Sequence, residues 1–319
     1  MPAEYQVVPC LVCGSRDFDT LLTPEQMQEE ADWLQSFHME RSLDRDADLK
    51  DRAEFTQAES VFLLRCKRCR TLLRNPQPTP EALRELYRND HYGKSTLEEL
   101  FEAEREFFRE KADLVDLPSG AGVLEVGSFV GAFLLAARET GWHATGLDIG
   151  RETSAFMRGL GLEVLEGTVL DLSPHVRFDA IFIWNTFDQI NEPRAILRKI
   201  KALVKPAGLL IIRVPNGEFK SAALECASGR MRKLEAFNNF LTFPYLCGYT
   251  PGSLTSLLRQ EGFEICSLTG DVVSPLPKSR IKPSAVEEEA RAKRLNLRLC
   301  RRDGPLLCPW INVVSRAIS

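Results

Sequence analysis

The sequence lacks long apolar runs and lacks any excess of positive charge. No apolar run approaches the roughly 18 residues that a membrane-spanning helix needs. The first ten residues, MPAEYQVVPC, also lack the basic and then apolar pattern of a secretion signal. The net charge of −4 provides no general attraction to nucleic acid or to an anionic membrane. We therefore expect a cytoplasmic protein whose partners include neither nucleic acid nor a membrane.

Cysteine is not scarce, and its arrangement favours a metal site over a set of disulfides. Four of the nine cysteines form two C-x-x-C pairs, Cys10 with Cys13 and Cys66 with Cys69. Each pair can place two thiolates on a tight turn, and together the pairs can surround a structural zinc ion. A redox pair or unrelated cysteines are the alternatives. The other cysteines share no metal-binding spacing and are expected to be buried or free thiols: Cys226, Cys247, Cys266, Cys300 and Cys308.

The segment between the two cysteine pairs is long, so we expect it to fold out as an insertion. A helix is predicted to begin at Thr23 or Pro24. Trp33 and Phe37 lie at helical spacing on it. These two rings could cover a substrate pocket or pack against the cysteine module.

The stretch from Val123 to Gly150, VLEVGSFVGAFLLAARETGWHATGLDIG, predicts a strand, a tight loop, a helix and a second strand. Gly127 and Gly131 bound the loop, whose backbone N–H groups should face a ligand at the start of the helix. Asp148 closes the second strand, where an acidic side chain can accept the hydroxyls of a ribose. The sequence therefore predicts a nucleotide-type cofactor at this loop.

The same stretch lacks the glycine spacing that a dinucleotide requires. A G-x-G-x-x-G fingerprint places pyrophosphate on the helix N-terminus, whereas here Phe129 stands two residues after Gly127. Glu125 instead supplies a carboxylate that suits a cationic amino-acid group. The stretch resembles motif I of the class I S-adenosylmethionine (SAM) dependent methyltransferases, usually D/E-x-G-x-G-x-G. Glu125, Gly127 and Gly131 match this motif, and Phe129 replaces its middle glycine.

A second resemblance extends over the N-terminal part of the chain. The two cysteine pairs, the run Asn75-Pro76-Gln77-Pro78 and a helix that ends near Tyr92 resemble the zinc-containing sugar C-methyltransferases. This resemblance implies that Tyr92 lines the SAM site and that Thr168 and Val169 contact the adenine. The cofactor residues predicted in full are Tyr92, Glu125, Gly127, Ser128, Phe129, Gly131, Asp148, Ile149, Thr168, Val169, Asn185 and Thr186.

The family's catalytic histidines are missing from this chain. The segment FDAIFIWNTFDQINEP resembles the family's F-D-x-I-x-x-x-x-x-L-E-H-x-x-x-P, but Asp188 and Gln189 replace the E-H pair, and a neutral amide is no base. Asp188 could instead cap the helix that begins near Glu192. The run from Asn238 to Tyr245 lacks a second family histidine. The candidate catalytic residues are therefore His91, Asp188, Asn239 and Tyr249, of which His91 titrates nearest to neutrality. His91 could equally be a residue at a helix C-terminus.

The alternation of elements from residue 120 onward predicts an α/β protein with a doubly wound, Rossmann-like methyltransferase sheet and an antiparallel final hairpin. We expect a zinc module over residues 1–78, a helical linker or cap over 79–118, and a SAM-binding domain over 119–319 with a lid insertion at 217–250. The charge-rich segment from Lys278 to Arg302 favours a mobile loop or a surface helix over an arm that binds nucleic acid.

Three functions are open at this point. The first is methyl transfer to a small sugar-like or natural-product acceptor, mainly by binding and alignment, because a sulfonium is a good leaving group. The second is an RNA or protein methyltransferase that uses the zinc module for recognition. The third is a SAM-binding protein that has lost catalysis. The first is preferred, because the acidic insertion disfavours RNA phosphates.

Overall fold

The computed structural model describes residues 4–43, 61–89, 92–226, 229–237, 246–274, 277–303 and 308–318. The candidate catalytic residues His91 and Asn239, with the run from Asn238 to Tyr245, lie outside the described residues. None of the described helices is both long and apolar enough to cross a membrane.

The strands are β1 (Tyr5–Gln6), β2 (Phe18–Leu22), β3 (Phe62–Cys66), β4 (Leu72–Asn75), β5 (Gln77–Pro78), β6 (Gly122–Val126), β7 (His143–Asp148), β8 (Glu163–Glu166), β9 (Phe178–Trp184), β10 (Val204–Pro215), β11 (Cys247–Gly248), β12 (Phe263–Asp271) and β13 (Trp310–Ala317). The α-helices are α1 (Pro24–Arg41), α2 (Pro80–Arg88), α3 (Lys94–Ala112), α4 (Ala132–Glu139), α5 (Arg151–Gly159), α6 (Pro193–Leu203), α7 (Gly217–Cys226), α8 (Gly229–Ala236), α9 (Pro251–Gln260) and α10 (Pro283–Asp303).

The central sheet has seven strands in the order β12-β13-β10-β9-β6-β7-β8. The five strands from β10 to β8 are parallel to one another, and β13 pairs antiparallel with both β10 and β12. This arrangement confirms the predicted doubly wound methyltransferase sheet with its antiparallel final hairpin. The order reverses at β6, so the carboxyl ends of β6 and β9 face a crevice of the kind in which open α/β sheets bind ligands.

Two hydrophobic cores cover the two faces of this sheet. On β9, Ile181 and Ile183 point towards α6 and α9, whereas Phe182 and Trp184 point towards α3 and α4. The strand is apolar at both sets of positions because helices bury both of its faces. Helix α3 therefore packs on the same face as Trp184, which brings it over the crevice.

Three N-terminal strands join β11 in a separate four-stranded sheet in the order β11-β4-β3-β2, and β1 pairs antiparallel with β5. Its β11 comes from the predicted lid insertion and pairs antiparallel with β4. Helix α1 begins at Thr23, whose side chain accepts a hydrogen bond from Gln26, as predicted. Phe37 packs against Ala236 and Phe237 at the end of α8. The insertion thus joins the lid as well as the N-terminal sheet.

The segment around Lys278 to Arg302 forms helix α10, which confirms the surface-helix alternative. One side of this helix is buried, and Lys293 there pairs with Glu289 at 2.5 Å. The expectation of free thiols is wrong for two cysteines, because Cys300 at the end of α10 forms a disulfide with Cys308. Their spacing of eight residues gave no sign of this pairing in the sequence.

Candidate functional site

A cavity of about 370 Å³ lies at the carboxyl ends of β6, β7 and β9. Helices α2 and α3 contribute part of its wall through Leu83, Tyr87, Leu100 and Phe108. The predicted cofactor residues that line it are Tyr92, Glu125, Gly127, Ser128, Phe129, Asp148, Ile149, Thr168, Val169, Asn185 and Thr186. The structure therefore brings together, around one crevice, residues that are widely separated in the sequence.

The loop after β6 is built from three residues in the left-handed backbone conformation. Gly127, Phe129 and Gly131 have φ angles of 73°, 48° and 76°. Phe129, at the position of the motif's middle glycine, thus adopts a conformation that is costly for a residue with a side chain. Its N–H donates to Asp148 Oδ2 at 2.8 Å, and its ring packs edge-on against Tyr92 at 5.3 Å. Phe129 is therefore held in this conformation by contacts of its backbone and of its ring.

Two glycines of this loop have different roles. A Cβ at Gly127 would lie 2.2 Å from Thr186 Oγ1, so the loop and the end of β9 pack without room for a side chain. A Cβ at Gly131 would lie 2.6 Å from Leu162 and 2.9 Å from Met157. Gly131 is absent from the cavity wall, which departs from its predicted role as a cofactor residue. The absence of a side chain at Gly131 allows helix α4 to begin close to Met157 of α5 and to Leu162, which precedes β8.

Three buried polar atoms of the cavity wall have no hydrogen-bond partner within the described ranges: Glu125 Oε2, Ser128 Oγ and Trp184 Nε1. Glu125 is 3% exposed, and burial, followed by Glu104 and Asp148, raises its pKa well above the ordinary value. A buried acceptor among carboxylates calls for a cationic ligand, and the indole N–H of Trp184 calls for an acceptor. SAM carries an ammonium, a sulfonium and a carboxylate, so the residues present fit this cofactor.

Asp148 also has a structural part in the site. Its Oδ1 accepts from the Gly150 N–H at 2.9 Å and from the Thr153 hydroxyl at 2.8 Å. Together with the bond from Phe129, these contacts tie the end of β7 to the motif loop. Its predicted bond to a ribose remains a prediction.

The predicted adenine residues Thr168 and Val169 line the cavity, at a short 3₁₀ turn over Val169–Asp171. Asp171 accepts from the Thr168 N–H at 2.8 Å and from its hydroxyl at 2.7 Å, which closes the turn. These bonds lower the pKa of Asp171. Asp171 therefore stabilises this turn and does not line the cavity.

Asp188 and Tyr249, two candidate catalytic residues, lie together but outside the cavity wall. Both side chains are fully buried, and the Tyr249 ring stacks on Phe187 at 5.3 Å. Neither oxygen of Asp188 has a hydrogen-bond partner among the residues described. The alternative role of Asp188 as a helix cap is wrong, because Glu192 precedes α6 and no side chain caps it. The neighbouring Gln189 lines the cavity, and Asp188 does not.

The buried carboxyl of Asp188 should make stability depend on pH. Burial raises its pKa to about 8, and only Arg213 opposes this among the charged groups near it. An unfolded Asp ionises near pH 4, so the folded state holds the extra proton between about pH 4 and 8 and loses stability as pH rises, by at most about 1.4 kcal/mol per unit. Asp188→Asn should remove this slope in denaturant unfolding measured from pH 5 to 8.

Asp179→Asn is the matched control for that experiment. Lys205 pairs with Asp179 at 2.8 Å and lowers its pKa, so its protonation lies below the range measured. The control should keep the wild-type slope. An Asp188→Asn protein with the wild-type slope would contradict the assignment.

The four predicted metal ligands converge. The sulfur atoms of Cys10, Cys13, Cys66 and Cys69 all lie within 4.8 Å of one another, with Cys10 to Cys69 at 3.4 Å and Cys13 to Cys66 at 3.5 Å. Thiolates about 2.3 Å from a tetrahedral zinc are separated by about 3.8 Å, so the cluster is compatible with zinc. The hydrogen bond with Cys10 lowers the pKa of Cys69 to about 4.

Both cysteine pairs lie on the same kind of turn. The N–H of Gly14 donates to the Cys10 carbonyl, and the N–H of Arg70 donates to the Cys66 carbonyl, each at 2.8 Å. Gly14 and Arg70 have φ angles of 72° and 62°, so each turn ends in the left-handed conformation. This shared geometry presents two sulfurs from each turn to the same point.

A family model described as a methyltransferase domain matches residues 96–268, which is more than half of the chain. The chain belongs to this methyltransferase family. Its fold and family make it a methyltransferase and support the use of SAM as the cofactor. The matched residues include Phe129, which departs from the usual motif.

Curated relatives are similar over about half of the chain. The ubiquinone biosynthesis O-methyltransferase of Rhodopseudomonas palustris (strain BisB5) is 23% identical over 53% of this chain and 68% of its own length. That of Bradyrhizobium diazoefficiens is 25% identical over 49% of this chain and 63% of its own length. The chain thus spans about two thirds of the length of these relatives. They are O-methyltransferases, so the resemblance to sugar C-methyltransferases is not confirmed.

Among solved structures, a chain of the complex between the Haloferax volcanii Trm112 methyltransferase activator and the putative methyltransferase is similar in fold. The TM-score is 0.50, with 17% identity, over 71% of this chain and 96% of that chain. At this identity the likeness shows the fold alone.

Several cavity residues were missed from the sequence. Glu104 on α3 and Trp184 at the end of β9 line the cavity but are not among the predicted site residues. Tyr87 and Gln189, which also line the cavity, form a hydrogen bond of 2.6 Å in its wall. Of these residues, only Gln189 could have been linked to the site from the sequence, because it occupies the position of the histidine in the E-H pair of the family it resembles.

Proposed function

We propose that this protein transfers a methyl group from SAM to a small-molecule acceptor. The observation that carries the proposal is the cavity at the end of β6, with Glu125 Oε2 buried and lacking a partner in the described part of the chain. The carboxylate suits the ammonium of the cofactor, and the backbone of the Gly127 loop leaves room for it. Glu125, Trp184 and the end of β7 would hold the cofactor, which supplies the methyl group on a sulfonium.

Enclosure of the site favours a small acceptor. Leu83 and Tyr87 of α2 and Leu100 and Phe108 of α3 lie over the carboxyl ends of the strands, so the reacting position is inside a cavity. The net charge of −4 gives no attraction to nucleic acid. The relatives named for ubiquinone biosynthesis are in keeping with a small acceptor, although their identity to this chain is low. A structural zinc held by the four cysteines would stabilise the fold and take no part in methyl transfer.

Titration calorimetry with SAM and with its demethylated product tests the proposal. The wild-type protein should bind both, and Gly127→Ala should bind at least about tenfold more weakly, because the left-handed conformation costs about 1–2 kcal/mol with a Cβ. The new Cβ would also collide with Thr186. Gly159→Ala is the matched control, since a Cβ there meets nothing within 4 Å. Wild-type protein that binds neither compound would refute the proposal.

A further inference from the structure

Four residues form a continuous set of hydrogen bonds along one side of the cavity, through both the backbone and the side chain of Asn185. The Tyr87 hydroxyl is 2.6 Å from Gln189 Oε1. The amide nitrogen of Gln189 donates to the backbone carbonyl of Asn185, and the Asn185 side chain accepts from the guanidinium of Arg213. Tyr87, Gln189 and Asn185 line the cavity, and Arg213 lies fully buried behind them.

Two groups fix the direction of these hydrogen bonds: the Asn185 backbone carbonyl, which can only accept, and the Arg213 guanidinium, which can only donate. A backbone carbonyl can only accept, so the Gln189 amide must turn its nitrogen to Asn185 and its oxygen to Tyr87. Tyr87 must then donate its proton to Gln189. Any further hydrogen bond at the Tyr87 oxygen is one that it accepts. Gln189 is thus held at both ends, in the position where the family resemblance places a base.

Arg213 fixes the Asn185 amide in the same way. A guanidinium can only donate, so Asn185 must turn its oxygen to Arg213, and its NH₂ group is left for other partners. That nitrogen has no hydrogen-bond partner in the described part of the chain, and Asn185 is half-buried in the cavity wall. The residue holds a φ of 53°, a left-handed conformation that asparagine tolerates better than most residues.

Arg213 itself is held firmly. Its Nε donates to Asp271 Oδ2 at 2.8 Å, and another nitrogen donates to the Val272 carbonyl. The rings of Phe107 and Trp310 lie 4.9 Å and 4.5 Å from its guanidinium carbon. Arg213 and Lys111 both pair with Asp271, so the group behind the Asn185 donor carries one net positive charge. This charge favours negative charge on whatever the donor binds, and it acts against the Glu104 and Glu125 carboxyls of the cavity wall.

We propose that Asn185 donates a hydrogen bond to the attacking oxygen of the methyl acceptor, and that this acceptor is a hydroxyl on an unsaturated carbon, a phenol or an enol, which reacts as its anion. This inference rests on the proposed function. The oxygen's proton leaves to solvent, a lone pair of the oxygen forms the new C–O bond, and the C–S bond breaks with its electron pair staying on sulfur. The products are a methyl ether and the thioether form of the cofactor.

The number of lone pairs decides between oxygen and nitrogen. An oxyanion that accepts one hydrogen bond from Asn185 keeps two further lone pairs for the attack. A neutral amine has one lone pair, and a hydrogen bond from Asn185 would occupy it. A phenolic hydroxyl, as in tyrosine, has a pKa near 10, which a fixed donor backed by a cation can lower towards neutrality. Such an acceptor needs no strong base, in keeping with Gln189.

A coloured phenol tests this proposal. 4-Nitrophenol, whose anion absorbs visible light, is titrated with pH in the presence of wild-type protein saturated with S-adenosylhomocysteine. The bound probe should ionise at least one pH unit lower than the free probe, a tenfold change. Asn185→Gly, which keeps the left-handed backbone and deletes the donor, should abolish the shift. Asn185→Asp, which replaces the donor with an acceptor, should move ionisation to higher pH.

The control is Asn191→Ala, a cavity amide that donates to the Pro78 carbonyl at 3.0 Å. It should keep the wild-type shift. An unshifted bound probe, a shift that survives in Asn185→Gly, or no binding of the probe to the saturated protein would each overturn the proposal. Failure of S-adenosylhomocysteine to bind the wild-type protein would instead overturn the proposed function, and this inference with it.

Discussion

Replacing Arg213 with leucine should lower the free energy of unfolding by about 3–5 kcal/mol, the cost of breaking a buried ion pair from one side. The guanidinium is fully buried and pairs with Asp271, which also pairs with Lys111 at 2.8 Å. Although burial opposes it, Arg213 and Lys111 hold the pKa of Asp271 below its usual value. Leucine would leave the Val272 carbonyl and the Asn185 oxygen without their donor.

Urea unfolding followed by far-ultraviolet circular dichroism measures this loss. Lys205→Met is the matched control, because Lys205 pairs with Asp179 at the same distance of 2.8 Å but is 47% exposed. Exposed pairs contribute at most about 1 kcal/mol, so the control should change little. Equal losses in the two variants would show that burial of Arg213 does not decide its contribution.

The fold could be predicted because local sequence and topology agree. The stretch from Val123 to Gly150 has an apolar strand, a glycine-bounded loop and an Ala-rich helix, and each adopts the predicted structure. Thr23 and Pro24 start their helix as expected, since side-chain capping is a local property of the sequence. Most of the predicted cofactor residues then reach one cavity, because parallel strands bring their carboxyl ends to the same edge.

The remaining features depend on contacts between distant segments. Arg213 stands in the apolar strand IIRVPN, and its partner Asp271 lies 58 residues later, so no local pattern joins them. Asp188 could be a helix cap by its position, but the pairing of Leu246 N–H with its carbonyl at 2.9 Å draws that turn against β11. The approach of Gly131 to Met157 likewise becomes visible only in the folded chain.

The second prediction concerns the loss of a structural zinc ion held by the four clustered cysteines. Cys66 is fully buried and belongs to the same hydrophobic core as Phe187 and Tyr249, behind the turn that carries Gln189. Gln77 donates to the Leu246 carbonyl at 3.1 Å, and Leu246 donates to Asp188, so hydrogen bonds continue from the N-terminal strands to that turn. Loss of a structural zinc should therefore loosen both the N-terminal sheet and one wall of the cavity.

Cys66→Ser should reduce the zinc content from about one ion per chain to near zero, because a four-thiolate site rarely survives the loss of one ligand. Binding of structural zinc is worth about 10–16 kcal/mol in small zinc-dependent domains. Here β2, β3, β4 and β11 also pair with one another, so we expect local rather than global unfolding. Elemental analysis and limited proteolysis should show zinc loss together with new cleavage before residue 78. Cys226→Ser, at an exposed free thiol, is the control. Metal-free wild-type protein that resists protease as well as the zinc-loaded form would refute a structural zinc.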